Sequence, residues 1–147
     1  MKILFSLFVM LSISSIYAQM DVSDYGVALD KVHTEMHDKC TKDHPVTHAD
    51  IWRVKIGIFD DNNEEMKKYI LCLWRISGMI DLDTFRLSKI LLDVYLPKEV
   101  HKGNGPNMYL ECAAKGRDLP AGTALQERTW VLMKCVQHAD PVNFVMF

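Results

Sequence analysis

The residues best equipped for chemistry are four cysteines, Cys40, Cys72, Cys112 and Cys135, and six histidines. The densest group is "HTEMHDKC", where His33 and His37 stand four apart and Cys40 follows a turn later. On a helix that spacing turns both imidazoles to one side, the arrangement zinc proteases use in H-E-x-x-H. In that motif the glutamate adjoins the first histidine, whereas here the position is Thr34 and Glu35 points elsewhere. A disulfide would also consume Cys40. The expectation is a solvated or capping histidine face and no metal. His44, His48, His101 and His138 are isolated and read as surface or turn residues. Together the six give several groups that titrate between about pH 5 and 8.

Other catalytic signatures are missing. There is no G-x-S-x-G elbow, no phosphate-cradling glycine loop and no paired-carboxylate motif. "GNGP" is a turn, because no strand precedes it. A small secreted lipase would need a nucleophile or a C-C-x-x-H-D-like site, and neither is present. The chain reads as a non-enzyme with no cofactor and no catalytic residues.

The first residues, "MKILFSLFVMLSISSIYA", have an early lysine, a short apolar core from Ile3 to Ile13 and small residues before Ala18. That is the pattern of a secretory signal peptide at 1–18, leaving one domain at 19–147 in an extracellular setting. No other segment approaches the ~20 apolar residues of a membrane span, so no stable membrane association is expected. In an oxidising compartment four cysteines argue for two disulfides, each worth about 3.5 kcal/mol, and three pairings are open. A formal net charge of -2 with mixed signs argues against nucleic acid or an anionic membrane as partner. No N-x-[ST] sequon is present.

The elements that must position these residues are helical. Val22, Tyr25, Leu29, Val32, Met36 and Cys40 form one stripe on helix 1. Thr47 caps helix 2, where Ile51, Val54, Ile58 and Phe59 share a face. Helix 3, Met66 to Ser77, is apolar on most sides, as a central helix would be. Asp81 or Asp83 caps helix 4, whose Leu87, Ile90, Leu91, Val94 and Tyr95 line up before Pro97. "HKGNGP" is a turn cluster. Helix 5 runs through "NMYLECAAK" to Gly116, helix 6 runs roughly from Leu125 to Gln137, and an apolar tail follows. Strand-like alternation is not evident. The expected fold is a compact all-α six-helix bundle with one cysteine on each of helices 1, 3, 5 and 6, placed to staple packed helices together. Nine methionines, three tryptophans and six phenylalanines suit either a plain core or a wrapping around an apolar ligand.

Three segments resemble the insect odorant-binding proteins of the pheromone- and general-odorant-binding type. "KYILCLWRISGMIDLD" is similar to their C-Y-x-x-C-L block, "QERTWVLMKC" to their C-E-[KR]-x-aromatic-x4-C block, and "ECAAKG" supplies the lone cysteine between. Six-cysteine members have cysteines where this chain has Lys68 and Gln126. Losing both resembles the minus-C subgroup, and the family's pairing then implies Cys40–Cys72 and Cys112–Cys135.

The resemblance further implies an internal apolar cavity that carries small hydrophobic molecules, odorants or pheromones, through aqueous lymph. An olfactory receptor complex would be a partner, and the carrier would be a monomer or a weak homodimer. The candidate lining residues are Leu91, Tyr95, Met108, Thr129, Leu132, Val136 and Phe144, with Tyr95 and Thr129 as donors to an alcohol or carbonyl. The tail "DPVNFVMF" would wall or cover the cavity, and charging His138 in acid would loosen it. The rival reading is a secreted helical signalling protein that acts through its surface.

Overall fold

The computed structural model describes residues 27–146, with side chains from residue 31 onward. The expected leader, and Val22, Tyr25 and the Leu29 side chain of the first stripe, lie outside them. Seven helices and one short hairpin occur among the described residues: α1 (Val27–Asp43), α2 (His48–Lys55), α3 (Glu64–Ser77), β1 (Ile80–Asp81), β2 (Arg86–Leu87), α4 (Lys89–Tyr95), α5 (Lys98–His101), α6 (Gly105–Arg117) and α7 (Leu125–Ala139).

Local signals set most boundaries. Thr47 caps α2 in a reciprocal box: its hydroxyl accepts from the Asp50 amide at 3.1 Å and the Asp50 carboxylate accepts from the Thr47 amide at 3.0 Å. The Asn63 side chain accepts from the Met66 amide at 3.0 Å to start α3. Gly78, at φ 67°, ends it in the left-handed region open to glycine. Between these caps α3 buries Met66, Lys67, Tyr69 to Trp74 and Ser77, so it is the central helix the sequence suggested. Trp74 is the largest of the fully buried side chains, its indole N–H 3.3 Å from the Met133 sulfur of α7.

Cys40 of α1 is bonded to Cys72 of α3, and Cys112 of α6 to Cys135 of α7. That is the pairing the resemblance implied. Removing such a bridge from a small domain costs about 2–5 kcal/mol, a large share of its stability.

The segment after α3 departs from expectation. The Asp81 carboxylate does not cap a helix. It accepts the amides of Asp83 and Thr84 at 2.9 and 3.1 Å, which turns the chain back as a hairpin. Ile80 pairs with Leu87 and Asp81 with Arg86. The helix begins only at Lys89, capped by Ser88. Starting late and running two turns, α4 turns Leu92 inward and leaves Ile90 and Val94 exposed, contrary to the expected face. Ile58 is also exposed, because α2 stops at Lys55. The expected turn cluster, 101–106, takes in the last residue of α5 and the first two residues of α6, and α5 itself lies just before it. Gly116 does not end α6 but lies buried within it. A Cβ there would sit 2.6 Å from the Arg128 carbonyl and 2.7 Å from the Phe85 ring, so the helices meet through a notch only glycine leaves open.

Two charged side chains complete the packing of α7. Arg128 donates to the carbonyls of Gly116, Arg117, Leu119, Pro120 and Thr123 at 2.6–3.4 Å, satisfying the end of α6 and the loop after it. Lys67, nearly covered, donates to Glu64 at 2.8 Å and to Glu127 of α7 at 2.7 Å. Burial lowers its affinity for a proton, but the two carboxylates, Glu127 first, more than offset this and hold its pKa above the usual lysine value. The neighbouring Lys68 stays on its own helix, paired to Glu65 at 2.9 Å.

Candidate functional site

The candidate lining residues come from three helices and the tail, and six of the seven belong to the hydrophobic core or pack against it. Leu132, Val136 and Phe144 belong to the core cluster, and Leu91, Tyr95 and Met108 pack half-buried against it. Thr129 is fully buried on α7. Its hydroxyl donates back to its own helix, to the carbonyls of Leu125 at 3.2 Å and Gln126 at 3.0 Å. The Tyr95 hydroxyl has no hydrogen-bond partner among the described residues, so it is the lining donor still available.

The tail reaches this region because the chain after α7 is turned and then held. The Asp140 carboxylate accepts the Asn143 amide at 3.2 Å and its side-chain N–H at 2.9 Å. Beyond that turn Phe144 and Val145 are buried, and the enclosed Tyr109 hydroxyl donates to the Val145 carbonyl at 3.4 Å. Burial pushes the Tyr109 hydroxyl well above its ordinary pKa, so it stays protonated and able to donate. His138 lies exposed at the end of α7, beside Gly57 and Phe59.

The histidines of α1 are not a solvated face. His33 is 6% exposed, with its ring stacked on Tyr95 at 6.4 Å and 9°. His37 is half-buried, its Nδ1 2.8 Å from the Tyr69 hydroxyl. Burial raises the Tyr69 pKa, so that hydroxyl stays protonated and joins His37 in a neutral hydrogen bond between α1 and α3. A signal for this was available: His33 precedes Met36 by three and Cys40 by seven residues, on the stripe that packs inward. The structure thus adds one buried polar group, His33, beside Tyr95. Among the described residues no three histidine, cysteine or acidic side chains converge closely enough to hold a metal.

Two open grooves lie elsewhere. One of about 560 Å3 runs along the hairpin and the end of α6, and one of about 460 Å3 lies between Gly57–Phe59 and the last turns of α7. None of the seven candidate residues lines either. No helix among the described residues is long and apolar enough to cross a membrane.

A comparison with family models matches residues 23–139 to the PBP/GOBP family, a span that ends with the last residue of α7. A comparison with curated proteins found no match.

Proposed function

The chain belongs to the PBP/GOBP family of odorant-binding carriers, with four cysteines in two disulfides, and from that premise we propose that it is a secreted carrier of small hydrophobic molecules. The ligand would be enclosed between α1, α4, α6, α7 and the tail, against Leu91, Met108, Leu132, Val136 and Phe144. The family match over nearly the whole folded chain carries this reading, and the disulfides fit an oxidising extracellular setting.

Binding would be driven by burial. Enclosing ~300 Å2 of apolar ligand surface gives a gross ~7.5 kcal/mol at ~25 cal/mol per Å2. Ordering costs reduce this to roughly micromolar affinity. Such a pocket separates homologous ligands weakly, by about 1–3 kcal/mol per methylene. Tyr95, stacked on His33, would supply the hydrogen bond to a ligand oxygen.

Displacement of a fluorescent apolar probe from delipidated protein tests the reading. Medium-chain alcohols and aldehydes should displace the probe at about micromolar concentration. Tyr95→Phe should weaken alcohols about threefold to tenfold and leave the probe itself unchanged. A protein that takes up no probe acts through its surface, and the carrier reading is then wrong. Repeating the titration between about pH 7.5 and 5 asks whether charging His138 loosens the tail; unchanged affinity removes that part.

A further inference from the structure

The groove beside the hairpin is lined by Gly78, Met79, Ile80, Asp81, Thr84, Arg86, Leu87, Ser88 and Arg117. Its two cations come from separate elements and are brought together by one contact. Phe85 fills the notch at Gly116, so the residues that follow each, Arg86 and Arg117, border the same groove. Phe85 holds this position at φ 50°, a backbone region that side-chain-bearing residues rarely occupy and that recurs at functional sites.

Neither guanidinium is consumed by the fold. Arg128 donates to five carbonyls. The side chains of Arg86 and Arg117, by contrast, donate no hydrogen bond to any described residue, and among the described residues the Arg86 guanidinium makes no ion pair. Arg117 has only its sequence neighbour Asp118, at 3.3 Å from its Nε. The carboxylate that lines the groove, Asp81, stands across from Arg86 in the hairpin; it is held first by the amides of Thr84 and Asp83 and draws only a weaker attraction from Arg86. Ile80 and Leu87, largely buried, leave a narrow strip of apolar surface at the base, and Met79 lies wholly covered behind them. Two unused guanidiniums over an apolar floor match a planar anion with a hydrocarbon tail, because a carboxylate can be held by paired N–H donors from an arginine.

We infer that this groove is a second, external binding site for a small amphiphilic carboxylate, its head group between Arg86 and Arg117 and its short tail along the exposed edges of Ile80 and Leu87. The site is separate from the enclosed region of α4, α6 and α7 and does not depend on the carrier reading.

Side-chain and backbone NMR of the disulfide-intact protein tests it with hexanoate, acetate, hexanol and inorganic phosphate. Hexanoate should move the Arg86 and Arg117 Nε–H signals and the amides around Ile80–Ser88, saturating below about 20 mM. Acetate should bind at least about fivefold more weakly, and hexanol should leave the arginine signals in place. Arg86→Gln with Arg117→Gln, both at exposed positions, should weaken hexanoate about tenfold or more while the core amides stay unchanged. Equal responses to acetate, phosphate and hexanoate would reduce the groove to a plain anion-attracting patch and overturn the proposal. So would the absence of any shift with hexanoate, or an undiminished response in the double variant.

Discussion

At the C-terminal end of α7, Cys135 is covalently joined to Cys112 of α6, whereas near its N-terminal end Glu127 meets Lys67 of α3 at 2.7 Å. The resemblance puts the further cysteine pair of six-cysteine relatives at Lys68 and Gln126, one residue from each partner of this ion pair. One end of α7 has therefore kept the family's staple, and the other has an ionic contact beside the place where a staple is missing. The two links differ in what they act on. A disulfide restricts the unfolded chain and is indifferent to salt and pH, but fails on reduction. The ionic link exists only in the native state, is partly screened, and ignores reductant.

The covalent end should show the largest effect. Cys112→Ser with Cys135→Ser is expected to lower stability by about 3 kcal/mol, roughly 10 °C in Tm by calorimetry. A drop no greater than that of the ionic-end variants would remove the contrast between the two ends.

Lys67→Ala comes next, at about 2 kcal/mol. A fully buried pair would lose about 3–5 kcal/mol, but Glu64 and Glu127 are partly exposed and can turn to water. Lys67→Met, which refills the covered stem, should cost less than Lys67→Ala. The sign with pH follows from the raised native pKa of Lys67. Its contribution is fully present below the ordinary lysine value of 10.5 and is lost as pH rises through the higher native value. The stability gap between wild type and Lys67→Met should therefore close in alkali, whereas the cysteine variants should keep theirs.

How much of this was legible depends on how many residues each feature spans. The Thr47 cap and the end of the central helix at Ser77 are local chemistry, and they were readable. Central α3 was readable from its nearly continuous apolar run. The disulfide pairing came through the resemblance, since four cysteines by themselves leave three pairings open. The hairpin was not readable, because strands of two residues carry no period. Nor was the inner face of α4, where two turns are too few to separate Leu92 from Ile90 and Val94. The choice between Lys67 and Lys68 as the residue that meets α7 rests on how two helices cross, which neither lysine encodes locally. Arg128 belonged to a recognised motif, but its five carbonyl partners come from a loop whose path only the fold supplies.

Joining the ends by the same chemistry sharpens the comparison. Lys68→Cys with Gln126→Cys should oxidise and raise stability by about 1–2 kcal/mol, less than the loop-entropy ideal because engineered bridges bring strain. Mass spectrometry and Tm check it. If both thiols stay free under oxidising conditions, these two positions do not correspond to the relatives' cysteine pair. In that case the ion pair cannot be read as standing beside a missing staple.

The smallest effect concerns a third anchor of α7, again ionic but exposed. Asp61, in the loop between α2 and α3, accepts from the Lys134 ammonium and the Trp130 indole N–H, both at 2.7 Å. These donors, Lys134 first, hold its carboxyl below the usual carboxylate range. A depressed native pKa contributes stability above the ordinary value of 3.8 and loses it as pH falls through the lower native value. Because this carboxylate is largely in water, its contribution is at most ~0.5 kcal/mol. Global unfolding would barely report that, but the Trp130 indole N–H resonance should. It is expected to move between about pH 4 and 2 in the wild type and to stay flat in Asp61→Asn, whose amide oxygen still accepts the indole proton. Equal movement in both proteins would mean that the indole reads a different carboxylate. The loop would then be held on α7 chiefly by the edge contact of Phe59 on Trp130, at 4.9 Å, and not by charge.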